Sequence, residues 1–171
     1  YEEAIARFVF LAESGRLGGV LTGPYGVGKS TVLKHVAAAI ESRHRLPLIR
    51  MDAIPGGQLP MARHILADMK IGGPTATLAD TLMNFGHATE HGNASLTRTL
   101  LCIDEAHYLA DGDGLYLIHY LSNLRIPDRR TQSETPLFTI ILAGSPALLP
   151  AIQAHPSLQQ RMQIVFRLAP L

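Results

Sequence analysis

An intrachain disulfide is excluded at the outset, because the 171-residue chain has a single cysteine, Cys102. It sits in the apolar run Leu100-Leu101-Cys102-Ile103, which predicts a buried, reduced thiol and fits a cytoplasmic compartment. Charge is scarce as well. Charged residues make up 17% and the formal net charge is +1, so the chain has no overall electrostatic footprint for nucleic acid. DNA is left as a partner only through a local patch, such as Arg125, Arg129 and Arg130, which read first as a solvated loop. No uninterrupted apolar run approaches the roughly 18 residues of a membrane-spanning helix. Leu137 to Ile152 comes nearest and is broken by Gly144, Ser145, Pro146 and Pro150. An initiator Met and a signal-like segment are both missing from the opening Tyr1-Glu2-Glu3-Ala4, so the chain is expected to be part of a longer protein. Internal repeats and low-complexity tracts are also missing. With 47% apolar residues, the composition suits one domain over residues 1–171 with a full-sized core.

What is present is a glycine loop. Gly23-Pro24-Tyr25-Gly26-Val27-Gly28-Lys29-Ser30-Thr31 fits G-x-x-x-x-G-K-[ST], the phosphate-binding loop of P-loop NTPases. Glycines let successive backbone N–H groups turn inward on a phosphate, and the loop feeds a helix N-terminus that favours anions. All nine residues are expected to contact a bound nucleotide. Lys29 would reach the β- and γ-phosphates, and Ser30 would ligate Mg²⁺. The flanks agree. Leu17 to Thr22 reads as a buried strand, and Val32, Leu33, Val36, Ala37 and Ile40 recur at helical spacing.

Along the chain, helical patterns over 2–14, 29–42, 60–69, 75–91, 113–125 and 146–162 alternate with strand patterns. The last helix is interrupted at His155-Pro156. The strands are expected at 17–22, 47–52, 99–104, 137–144 and 163–168, with 127–136 as a polar loop. Alternating β and α elements predict a parallel sheet covered on both faces, with ligands beyond the carboxyl ends of the strands.

The third strand pattern, Leu100 to Ile103, runs into Asp104-Glu105-Ala106-His107. It would carry two acids to the edge where the glycine loop sits. Asp104 is the candidate for Mg²⁺, through water, and Glu105 for the general base. Alternation along an extended strand would put the two on opposite sides. His107 reads as a metal ligand or as a local link to the γ-phosphate, and no Cys or spaced His stands near it. Ser145, at the tip of the fourth strand, is the candidate γ-phosphate sensor, or a cap for the following helix, or both. Thr139 is on that strand but at the opposite end. Arg161 either reaches a neighbouring subunit's nucleotide or forms a surface ion pair.

With the glycine loop and D-E-A-H come L-S-N-L (Leu121 to Leu124), L-A-G-S-P-A-L (Leu142 to Leu148) and H-P-S-L-Q-Q-R-M (His155 to Met162). In that order the chain, from about Ile5 to Leu171, resembles one AAA+ branch. This is the ATPase domain shared by general-secretion-pathway A proteins and the TniB, TnsC and Mu B transposition ATPases. The resemblance implies ATP as substrate, Mg²⁺, a three-layer α/β sandwich with a five-stranded parallel sheet in order 5-1-4-3-2, and nucleotide-dependent homo-oligomers. It makes Arg161 an arginine finger and Glu105, Lys29 and Ser145 its catalytic companions. Members often carry Gln, Asn or Thr where Ser145 stands, so the shorter hydroxyl would reach phosphate through water. The helical lid of the family would begin after Pro170. Three functions follow from these readings: an ATPase that remodels a protein client in secretion, an ATP-switched scaffold on DNA in transposition, and a signalling NTPase of NACHT-like type. An intact Glu105 favours hydrolysis over a pure switch.

Overall fold

The computed structural model describes residues 1–44, 46–91, 95–111, 113–128 and 130–170, the side chain of His44 excepted. Arg129 of the expected basic segment therefore lies outside the described residues. In chain order the elements are α1 (Glu2–Glu13), β1 (Gly18–Thr22), α2 (Lys29–His44), β2 (Leu48–Asp52), α3 (Gln58–Asp68), α4 (Leu78–Glu90) and β3 (Thr99–Asp104). There follow a 3-10 turn at Ala106–Leu109, α5 (Gly114–Asn123), β4 (Arg125–Pro127), β5 (Glu134–Pro136), β6 (Phe138–Gly144), α6 (Leu148–Gln153), α7 (Pro156–Gln159) and β7 (Met162–Arg167).

Five strands form one sheet in the order β2-β3-β6-β1-β7, every pair parallel. With β4 and β5 set aside, this is the expected 5-1-4-3-2. Those two strands are the difference: the segment read as a polar loop closes a small antiparallel hairpin, Arg125 opposite Pro136 and Pro127 opposite Glu134. Its pairing is too short, and its flanking prolines too strong a strand-breaking signal, for sequence periodicity to register. The stretch 146–162 is likewise two short helices, because Pro156 starts α7 and cannot continue α6.

Side chains alternate across the sheet, and each set meets its own helices. Leu100 and Cys102 of β3, Leu21 of β1 and Ile141 and Ala143 of β6 join Phe8, Val32, Leu33, Val36 and Ile40 from α1 and α2. Leu101, Ile103, Val20, Ile140 and Leu142 instead face Met61, Ile65, Phe85, Ile118 and Leu121 from α3, α4 and α5. The result is a three-layer α/β sandwich. β1, β3 and β6 are buried along their whole length, and the glycine loop, the acids and Ser145 follow at their carboxyl ends. Among the described residues, no helix is long and apolar enough to cross a membrane.

Candidate active site

The glycine loop leaves β1 at Thr22 and enters α2 at Lys29. Gly26 and Gly28 take φ of +79° and +86°, a region that a side chain makes costly, and these two residues reverse the chain. Lys29 opens α2, only 7% exposed, and folds back across the loop. Its Nζ donates to the carbonyls of Gly23 (3.0 Å) and Pro24 (2.8 Å). Ser30 and Thr31 stand exposed on the first turn of α2, which carries no acidic residue to oppose an anion. Tyr25 projects from the loop, 95% exposed.

One strand over from β1 lies β6, and one further lies β3. At strand spacing of about 4.8 Å, Asp104 is therefore about 10 Å across the sheet from the start of the loop. Its carboxylate is 5% exposed and accepts from the Glu105 N–H at 2.9 Å. No cation pairs with it among the described residues, so a buried negative charge is left for a ligand to balance. Glu105 corrects the expected alternation. The strand ends at Asp104, and Glu105 adopts a left-handed conformation, φ 51° and ψ 29°, ahead of the 3-10 turn. Its separation from Asp104 comes from that turn, not from strand pleating. The conformation is unfavourable for a residue with a side chain.

His107 occupies the space between Glu105 and the tip of β6. Its Nδ1 lies 3.4 Å from Glu105 Oε2 and 3.3 Å from the Ser145 N–H. One ring nitrogen serves either neighbour but not both: as an acceptor it takes the Ser145 N–H, and carrying a proton it donates to Glu105. No group of three His, Cys, Asp or Glu side chains suited to a metal occurs among the described residues. Ser145 anchors the strand tip through its backbone: its carbonyl accepts from Thr22 Oγ1 (3.0 Å) and from Leu148 N–H (3.0 Å). The capping thus comes from the main chain, and no hydrogen bond engages the Ser145 hydroxyl among the described residues. Thr139, at the other end of β6, donates to the Arg16 carbonyl at 2.7 Å, away from the glycine loop.

Lys29, Asp104, Glu105 and Ser145 thus share one sheet edge. Arg161 does not. Met162 pairs with Gly18 at the amino end of β1, whereas the loop leaves beside Arg167. Five residues of strand, about 16 Å at 3.3 Å each, separate Arg161 from its own glycine loop. Of the expected basic segment, Arg125 is engaged locally: its Nη1 donates to the Ser122 and Leu124 carbonyls and closes the end of α5. Two neighbours of the loop carry no sequence signal. Tyr1 Oη donates to the Val27 carbonyl at 2.5 Å, with its ring against Gly28, and Thr22 ties β1 to the tip of β6. Cys102 is fully buried, and burial pushes its thiol up to about 12.

The architecture recurs in solved structures. The Aeropyrum pernix ORC1 protein, in complex with DNA, matches with a TM-score of 0.73 and 13% identity over 99% of this chain and 45% of its own. Cdc6p from Pyrobaculum aerophilum gives 0.67 and 15%, over 99% and 45%. The Aeropyrum pernix ORC2 protein, in its ADPNP-ADP complexes, gives 0.64 and 16%, over 97% and 46%. This chain therefore spans less than half the length of those proteins, and at such identity the likeness concerns the fold. No curated protein sequence matches it. At the family level the match is direct: the model for the AAA domain covers residues 12–152, from α1 through the glycine loop and the acidic strand end to α6. The chain belongs to the AAA domain family.

Proposed function

We propose that the chain binds ATP with Mg²⁺ and hydrolyses it, the nucleotide lying across residues 23–31. The observation that carries this reading is the buried Asp104 carboxylate, without a cation partner among the described residues, at the sheet edge that also bears the glycine loop and Lys29. A divalent ion beside triphosphate oxygens is the ligand that such a carboxylate and an exposed Ser30 hydroxyl suit. When bound, Mg²⁺ would offset the charge on the β- and γ-phosphates. Lys29 trades its loop carbonyls for phosphate oxygens. Glu105 orients water and takes its proton. The Ser145 hydroxyl, with no other hydrogen bond among the described residues, reads the γ-phosphate directly or through water. Arg161, at the far edge of its own sheet, serves a neighbouring subunit.

Within the AAA+ proteins, L-S-N-L, G-S-P-A-L and the Q-R-M segment support the branch shared by secretion-pathway A proteins and transposition ATPases, and the first reading is the secretion-pathway A type, in which the ATP cycle drives oligomerisation and the remodelling of a protein client. The alternative is a transposition regulator of the TniB or Mu B kind, an ATP-switched scaffold on DNA. In its favour, a fold neighbour was solved with DNA. Against it stand the net charge of +1 and the engagement of Arg125 at the end of α5.

The test is Glu105→Gln in the full-length protein, which keeps shape and hydrogen bonding while removing the base. ATP should bind with parental affinity, and turnover should fall about 10²- to 10⁴-fold. Parental turnover in this variant would refute the assignment.

A further inference from the structure

We propose that Asn123 is a positioning residue for Arg161, its side-chain carbonyl fixing the direction of the guanidinium that serves the neighbouring subunit's γ-phosphate. The inference rests on the finger role given to Arg161 above and adds the group that aims it.

The starting point is the L-S-N-L segment, three of whose residues have evident local reasons. Leu121 and Leu124 are buried in the core. Ser122 is buried, and its hydroxyl donates to the His119 carbonyl at 2.6 Å. Asn123 is exposed, contributes nothing to the core, and is the last residue of α5. Its side chain points across to the junction of α7 and β7, where Arg161 Nη2 donates to its Oδ1. The assignment of that atom as oxygen follows from chemistry, because a guanidinium only donates. Arg161 Nη1 is held in turn by the Ser157 carbonyl, one turn back along α7. The guanidinium is thus gripped from two elements, by Asn123 of α5, 38 residues before it, and by Ser157 of α7.

Two features distinguish this grip from an ordinary surface contact. Both acceptors are neutral, so the arginine is aimed without being neutralised, and no carboxylate pairs with it among the described residues. Its charge is felt by its neighbours: burial first, and the Arg161 charge next, lower the pKa of both His119 and Arg125. A carboxylate at position 123 would hold the side chain equally well and cancel the charge that a phosphate needs. Moreover, a guanidinium has five N–H groups, and these two bonds leave donors on both Nη atoms for an incoming anion. The Nε is buried with no hydrogen-bond partner among the described residues, so the two Nη atoms are what the side chain can present. That tip lies at the amino edge of the sheet, about 16 Å along β1 from the chain's own loop, so the anion it meets is another subunit's.

The experiment compares Asn123→Ala, Arg161→Ala and the double variant in the full-length protein, reading ATP affinity and steady-state turnover separately. Asn123→Ala should keep parental ATP affinity, which also reports a folded site. Turnover should fall about 10- to 100-fold, the scale of a misplaced catalytic group. The double variant should be no slower than Arg161→Ala alone, because a clamp without its arginine has nothing to hold. Mixing then separates the two halves of the interface. Asn123→Ala mixed with Glu105→Gln should regain activity, since about one head-to-tail interface in four joins an intact Glu105 to an intact Asn123–Arg161 pair. Asn123→Ala mixed with Arg161→Ala should regain none, as both defects lie on the donor side. Parental turnover in Asn123→Ala, with Arg161→Ala impaired, would overturn the clamp and leave the finger standing. So would a double variant slower by the product of the two single effects, or rescue by mixing with Arg161→Ala. Parental turnover in Arg161→Ala would overturn the finger itself.

Discussion

Replacing Lys29 by Met tests whether the loop's own hydrogen bonds compete with nucleotide. Methionine keeps most of the buried alkyl stem and removes the ammonium, so the core volume under the loop changes little. Without nucleotide, the ammonium donates to the carbonyls of Gly23 and Pro24 at 3.0 and 2.8 Å. Such bonds from a charged donor contribute about 1.5–3 kcal/mol gross. Keeping a charge at 7% exposure costs a comparable amount, however, so the two largely cancel. The net stability change should therefore stay within about 1 kcal/mol, or about 2–4 °C in melting temperature for a domain of this size. ATP affinity is offset only in part, because the loop carbonyls that the ammonium gives up are neutral and the phosphate oxygens it gains are charged. A phosphate oxygen loses one charge-assisted partner worth about 1.5–3 kcal/mol, which raises Kd about 10- to 150-fold. Calorimetric titration with ATP and Mg²⁺, alongside thermal unfolding without ligand, reads the two quantities on the same preparation. An ATP Kd within threefold of the parent would refute a phosphate role for Lys29. A drop in melting temperature well beyond 4 °C would show that the lysine is chiefly a structural strut of the loop.

For Arg161→Ala, ATP affinity of the monomer should be unchanged while turnover falls by about 10³-fold, the lower end of the arginine-finger range. Parental specific activity should rise with protein concentration as subunits assemble, and concentration-independent activity across that range would leave Arg161 a structural residue. For Cys102, the thiol held near 12 in the fold and close to 9 when unfolded makes the native state the one that keeps its proton. Its contribution to stability is therefore complete below about pH 9 and is lost as pH climbs towards 12, at about 1.4 kcal/mol per unit. Denaturant titrations at pH 8 and pH 10.5 should show this fall in the parent and a shallower one in Cys102→Ala. Equal slopes in the two proteins would contradict it.

The glycine loop and the acids were legible because their chemistry is local: G-x-x-x-x-G-K-S is contiguous, and Leu100 to Asp104 carries its apolar run and its acid together. The same holds for the sheet, where alternating patterns of strand and helix length constrain topology. What escaped depends on contacts between distant residues or on backbone angle. Tyr1 meets Val27 only because α1 returns across β1, and nothing in the letters at position 1 announces it. The bend at Glu105 leaves no composition signal, since glutamate is not a residue that left-handed backbone favours. Arg161 was flagged by its motif, but its distance from the chain's own glycine loop emerges only from the register of β7 against β1. The β4–β5 hairpin fell below what periodicity detects, with three residues on each side.

If Glu105 is the base proposed above, its left-handed turn places activity and stability in opposition at a single position. A glycine there would relieve about 1–2 kcal/mol of backbone strain, and an asparagine part of it. Selection for a robust fold alone would thus steer this site towards residues with no carboxylate. Keeping the acid means that the rest of the sandwich must carry the deficit. The three fully buried strands that converge on this edge are where the surplus packing lies. A thermostabilised version of this domain should therefore be sought in the two helix layers, with position 105 held fixed, or it will be gained at the expense of the chemistry.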